Sequence, residues 1–184
     1  MNEGKLSPGK IICAVRSDED FASALISKPK VIFDLSPDIS DIRKKADASH
    51  KNGKKLFIHI DLATGIGKDK SGILYAKECG VDGIISTRGS MIKAARELGI
   101  FTVQRFFIVD SQSLSTTKDT AKSTKPDMIE IMPGLLNKTL TRLSHELSIP
   151  VIAGGLIECE EEVNSAIFCG AVSVSTGKKE LWDM

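Results

Sequence analysis

Two clusters of small residues stand out as places where chemistry can happen. Gly154-Gly155 follows the apolar run VIA, and Ser175-Thr176-Gly177 follows the apolar run AVSV twenty residues on. Glycine lets backbone come close to a ligand because no Cβ stands in the way. Hydroxyls and free backbone N–H groups at the start of a helix suit an anion. A short terminal helix over 178–182 is predicted to supply such a start, with Lys178 as a further, mostly solvated, charge. Together the clusters predict a phosphate cup built on two neighbouring strands. Tight turn geometry alone is the competing reading of the glycines.

Positioning those clusters requires regular elements. Short runs rich in Val and Ile recur every 18 to 28 residues, at 11–15, 31–35, 55–61, 83–87, 101–107, 128–132, 151–155 and 171–175. Polar stretches of helical period separate them. That spacing is one minimal strand-loop-helix unit. Gly53, Gly80, Gly99 and Gly170 stand where helices should end. The weakest unit is 111–125, a Ser/Thr/Lys-rich stretch without an apolar stripe, which reads as a short exposed helix with a mobile loop. No dinucleotide fingerprint follows the first strand. Glycines cluster after strands seven and eight, where barrels hold phosphate. The prediction is a compact (β/α)8 TIM-type barrel with minimal insertions, one domain over 1–184 with a polar N-terminal extension at 1–10.

Residue parity along the strands then suggests which polar groups face the barrel axis. Asp34, Asp61, Arg88, Gln104 and Glu130 are predicted to form an inward ring near the C-terminal rim, with Ser173 and Ser175 on the last strand. Arg105 falls on the opposite parity from Gln104. His59 reads as a satisfied core histidine. No nucleophile and base stand at convincing spacing, and no inward lysine offers a Schiff base. A metal on Asp34, Asp61 and Glu130 is disfavoured by the inward Arg88, so neither metal nor cofactor is expected. The loop LATGIGKDKSG lacks the Lys-Ser/Thr of a Walker motif. It reads as a flexible loop able to close over a ligand, presenting Asp61 and Thr64. The basic run Lys51–Lys55 reads as a solvated rim.

Composition narrows the class. The chain has 184 residues, 41% of them hydrophobic, and a formal net charge of +1, so no global field calls for nucleic acid or membrane. The four cysteines form no C-x-x-C pair, which suits free thiols in a reducing cytoplasm. No run approaches a membrane span or a signal peptide.

The ordered segments HIDLATGIGKDKSGI, DGIISTRGSMIKAARELG, TVQRFFIVDS, EIMPG, PVIAGGLI and GAVSVSTGKKELW, spread over nearly the whole chain, resemble the glycerol uptake operon antiterminators. The resemblance implies a regulator rather than an enzyme. It would respond to glycerol 3-phosphate and act on the leader mRNA of glycerol-utilisation genes, with no cofactor. Gly155, Ser175, Thr176 and Gly177 would then hold the phosphate. Asp61, Gln104 and Glu130 would hold the glycerol hydroxyls, with Arg88 or Arg105 as a further anion contact. Aromatic residues make up only 5% of the chain, so no stacking platform for RNA is visible. The alternative is a small barrel enzyme acting on a phosphorylated glycerol or sugar, with Asp61 or Glu130 as base and Arg88 stabilising charge. A homo-oligomer would pair through the rim or through 111–125.

Overall fold

A computed structural model describes residues 9–184. The expected extension at 1–10 lies outside the described residues except for Gly9 and Lys10. Eight parallel strands close into a barrel in chain order: β1 (Ile11–Val15), β2 (Val31–Asp34), β3 (Lys55–His59), β4 (Gly83–Ser86), β5 (Phe101–Phe107), β6 (Met128–Met132), β7 (Val151–Gly154) and β8 (Ser173–Thr176). Seven helices cover the outside: α1 (Asp18–Ile26), α2 (Ile42–Lys51), α3 (Lys70–Glu78), α4 (Gly89–Glu97), α5 (Ser111–Thr124), α6 (Asn137–Glu146) and α7 (Glu160–Phe168).

The core has two layers. Inside the barrel pack Ile12, Val31, Phe33, Phe57, Ile85, Val103, Met128 and Ile152. Between strands and helices pack Cys13, Ile32, Leu56, Ile58, Ile84, Ile129, Ala153 and Val174 with the apolar faces of the helices. Gly83 makes the inner layer possible. A Cβ there would lie 2.2 Å from Cε1 of Phe57, whose ring stacks against Phe33 and Phe101. Gly83→Ala is therefore expected to destabilise the fold by about 1–3 kcal/mol through overpacking. A urea titration that leaves the midpoint unchanged would contradict this.

Three expectations are corrected here. Val31, Phe33 and Leu35 face the axis, so Asp34 points to the helices, where its carboxylate takes a hydrogen bond from Lys45 at 3.3 Å. Phe101, Val103 and Arg105 take the inner parity of β5, so Gln104 faces outward to Thr124 of α5. On β4 Ile85 is the inward residue, so the parity expected to bring Arg88 inward, shared with Ser86, faces the other way. The physical reason is shared. Barrel strands are buried on both faces, so alternation does not by itself say which face is the interior. A buried hydroxyl or amine on a covering helix can satisfy a polar residue as well as the axis can.

The weakest expected unit is the longest helix. Asp110 caps α5 by accepting from the Ser113 backbone N–H at 2.7 Å, and the Ser113 hydroxyl accepts in return from the Asp110 N–H at 3.0 Å. Thr117, Ala121 and Thr124 bury its inner face, and the Thr116 and Thr117 hydroxyls bond back to the preceding turn. After β8 the chain makes a single 3₁₀ turn (Lys179–Leu181) instead of the expected helix over 178–182. A turn of three residues supplies no helix dipole of any size to the cup.

Candidate functional site

At the C-terminal mouth, strands β7, β8 and β1 open into a cleft of about 310 Å³. Its wall is Gly155–Glu158 on one side and Ser175–Lys178 on the other, with Ala14, Arg16, Asp20, Leu35, Arg105 and Met132 reaching in from the rest of the mouth.

The two glycines differ in what they do. A Cβ on Gly154 would lie 2.4 Å from Oε1 of Glu130 and 3.1 Å from the Ser175 hydroxyl. Gly154 thus clears the path along which Glu130 crosses from β6 to Ser175, whose hydroxyl donates to that oxygen at 2.6 Å. Gly155 adopts φ 75°, a left-handed conformation that glycine takes without strain, and its carbonyl accepts from the Gly134 N–H at 3.1 Å. Leu156 follows at φ 62° although it is not a glycine. That costs about 1–2 kcal/mol, and its side chain is 67% exposed beside the cleft. Backbone strain of this kind collects where loops bind or switch.

The hydroxyls of the second cluster are already engaged. Ser175 donates to Glu130. Thr176 donates to the Ile157 carbonyl at 3.0 Å and accepts from the Lys178 N–H at 3.1 Å, while Trp182 Nε1 donates to the Thr176 carbonyl at 2.9 Å. These bonds fix the shape of the cup. At Gly177 a Cβ would meet only the Ala14 carbonyl, at 3.4 Å, an ordinary contact, so no protein atom demands glycine there.

Arg105 supplies the charge at the base of the cleft. Its Nε donates to Oε2 of Glu130 at 2.6 Å, in a pair where Arg105 is 4% and Glu130 0% exposed. The pair follows from strand register, in which Arg105 stands beside Glu130. Both oxygens of Glu130 are then occupied. Nη2 of Arg105 is buried and has no partner among the described residues. A buried donor left unpaired is costly and calls for an acceptor. At the mouth itself charges offset one another: Lys178 lies 3.3 Å from Glu158, and Lys179 lies 2.9 Å from Asp20.

Asp61 and Arg88 belong to a different part of the rim. Asp61 sits in a 3₁₀ turn after β3 and accepts from Ser86 Oγ at 2.8 Å, the Thr87 N–H at 2.7 Å and Thr87 Oγ1 at 2.9 Å. Burial pushes its carboxyl up, but those hydrogen bonds outweigh burial and hold it below the ordinary carboxylate range. Arg88 Nε stands 3.8 Å from it and the Arg88 side chain is largely exposed. This group shapes the turn into α4, and neither residue lines the cleft. Of the ten ligand candidates, Gly155, Ser175, Thr176, Gly177 and Arg105 line one cleft. Gly154 and Glu130 support it, and Asp61, Arg88 and Gln104 lie elsewhere.

Two segments also differ from expectation. The loop 62–71 is packed down, with Ile66 buried, Thr64 paired to the segment before α2, the Lys68 ammonium on the Ala63 and Ile66 carbonyls, and Asp69 capping α3. Lys54 is buried and donates to the Ser27 and Pro29 carbonyls at the end of the barrel opposite the cleft. The basic run 51–55 is therefore not a wholly solvated rim.

Residues 11–182 match the model of the glycerol-3-phosphate responsive antiterminator family. The uncharacterized protein YgcP of Escherichia coli (strain K12) is 36% identical over 180 residues, 97% of this chain and 94% of that protein. The glycerol uptake operon antiterminator regulatory protein of Listeria monocytogenes superposes with a TM-score of 0.89 at 34% identity, covering 94% of each chain. A glycerol uptake operon antiterminator-related protein of Thermotoga maritima superposes at 0.86 with 29% identity, covering 96% of this chain and 99% of that one. Aldolases at 12 to 15% identity share the barrel fold alone.

Proposed function

Because the chain belongs to the family of glycerol-3-phosphate responsive antiterminators, we propose that it binds glycerol 3-phosphate in the cleft between β7 and β8. Binding there gates its contact with the leader mRNA of glycerol-utilisation genes in the cytoplasm. Gly155 and the Ser175–Gly177 segment would cradle the phosphate through backbone, with Arg105 as the cation beneath it. The observation that carries this reading is Arg105, which lines the cleft and keeps one buried guanidinium nitrogen, Nη2, without a partner among the described residues. A phosphate oxygen would complete its hydrogen bonding.

A sensor fits better than a catalyst. Glu130 has both oxygens bonded, and Asp61 is held by three donors away from the cleft. Neither is free to move a proton on a ligand in the cup. The strained Gly155–Leu156 turn is the element a ligand would reshape, which supplies two states of unequal affinity.

A thermal-shift comparison of glycerol 3-phosphate, inorganic phosphate and glycerol tests the ligand. At 100 times its dissociation constant, glycerol 3-phosphate should stabilise by about 2.7 kcal/mol. Glycerol alone should give no shift. Leader RNA should then bind more tightly with saturating ligand than without. Equal RNA affinity in both conditions would refute gating.

A further inference from the structure

Near the C-terminal end of the odd strands, Ala14, His59, Arg105 and Gly154 stand on the parity of the inner core cluster. In an eight-stranded barrel, side chains from alternate strands share a layer. Here two members of that layer are long and polar, and the two on β1 and β7 are small. Ala14 and Arg105 both line the cleft, so the cleft opens onto this layer.

The layer holds unmet hydrogen-bonding capacity. Five buried side-chain polar atoms among the described residues have no partner: Asp41 Oδ1, Ser49 Oγ, Gln104 Nε2, His59 Nδ1 and Arg105 Nη2. The first three lie on or against the covering helices. The last two lie in this one layer, on side chains that are 3% and 4% exposed. The expected satisfied core histidine thus leaves one ring nitrogen, Nδ1, without a side-chain or backbone partner.

We infer that His59, in the same layer as Arg105, forms a second subsite on the barrel axis, which takes the uncharged hydroxylated end of the phosphate ester, and that it sets the preference for a polyol phosphate. This rests on the cleft being the ligand site. The residues first assigned to the hydroxyls do not compete for the role, since Gln104 faces α5 and Asp61 and Glu130 are fully engaged. Burial and the neighbouring Arg105 charge push the His59 ring down to about 4, so the imidazole is neutral at physiological pH. A neutral imidazole has one donor and one acceptor nitrogen, which matches a hydroxyl. Glu130 already neutralises Arg105, so the layer offers no excess charge for a second anionic group such as a carboxylate.

Calorimetric titration of the wild type and His59→Phe with glycerol 3-phosphate and with n-propyl phosphate separates the outcomes. The wild type should prefer glycerol 3-phosphate, and His59→Phe should weaken it by about tenfold, the loss of one buried hydrogen bond. n-Propyl phosphate, which has no hydroxyls, should bind both proteins alike. An undiminished preference for glycerol 3-phosphate in His59→Phe would overturn the subsite while leaving the cup in place. Failure of the wild type to bind either ester would remove the cup and the subsite together. Should His59→Phe not fold, the imidazole ¹⁵N resonances of His59 in the wild type give the answer. They should move with glycerol 3-phosphate and stay still with n-propyl phosphate, and equal responses would overturn the assignment.

Discussion

Arg105→Met is expected to lower the free energy of unfolding by about 3–5 kcal/mol and to abolish binding of glycerol 3-phosphate. The guanidinium and the Glu130 carboxylate are both buried, 2.6 Å apart, and Glu130 also receives the Ser175 hydroxyl. Removing the cation leaves a carboxylate in the barrel with a hydroxyl as its only remaining partner. Methionine fills similar space, so the loss reflects charge and hydrogen bonding more than a cavity. A second substitution, Glu130→Gln, removes the stranded charge. Arg105→Met/Glu130→Gln should therefore be clearly more stable than Arg105→Met alone, an interaction that a double-mutant cycle by urea denaturation resolves. The double variant should still fail to bind the ligand, because Nη2 is gone. Strictly additive losses in the cycle would show that the pair is not coupled as the geometry requires. Wild-type ligand affinity in either variant would move the anion away from Arg105.

Gly155→Asp should reduce affinity for glycerol 3-phosphate by more than about 100-fold. Two like charges about 4 Å apart in a site of intermediate dielectric repel by roughly 4 kcal/mol, and the phosphate carries nearly two charges. Backbone strain adds to this, because Gly155 has φ 75° and a new Cβ would lie 2.9 Å from Met132 Cε. Gly155→Asn separates the two effects. Asparagine has nearly the same shape and tolerates the left-handed region, yet carries no charge. Titration calorimetry should find Gly155→Asn much closer to wild type than Gly155→Asp. Wild-type affinity in Gly155→Asp would show that the phosphate does not sit on this turn.

Much of the architecture was legible in the residues. The eight Val/Ile-rich runs at near-constant spacing, with glycines closing the helices between them, correspond one for one to β1–β8. The two small-residue clusters could be placed side by side because β7 and β8 are consecutive, and consecutive strands pair in this topology. Helix α5 is hidden in the sequence because its stability comes from side-chain caps and from burial of Thr117 and of Thr124, which bonds to Gln104 of β5, and neither leaves an apolar stripe.

The cleft between β7 and β8, the proposed phosphate cup, is where the division between sequence and tertiary structure is clearest. Residue types and order alone determined that Gly154-Gly155 and Ser175-Thr176-Gly177 would meet at one mouth, since local periodicity and strand order are chain-level properties. Only the folded barrel decided what each group faces. It turned Gln104 and Asp34 to the helices and drew Asp61 into the turn before α4. It also made Gly154 the clearance for Glu130 and aimed Arg105 and His59 at the axis. The physical reason is that a strand buried on both sides carries no mark of inside or outside in its own alternation. The face is set by which partners across the barrel and on the covering helices can satisfy a polar group, and those partners lie 11 to 45 residues away.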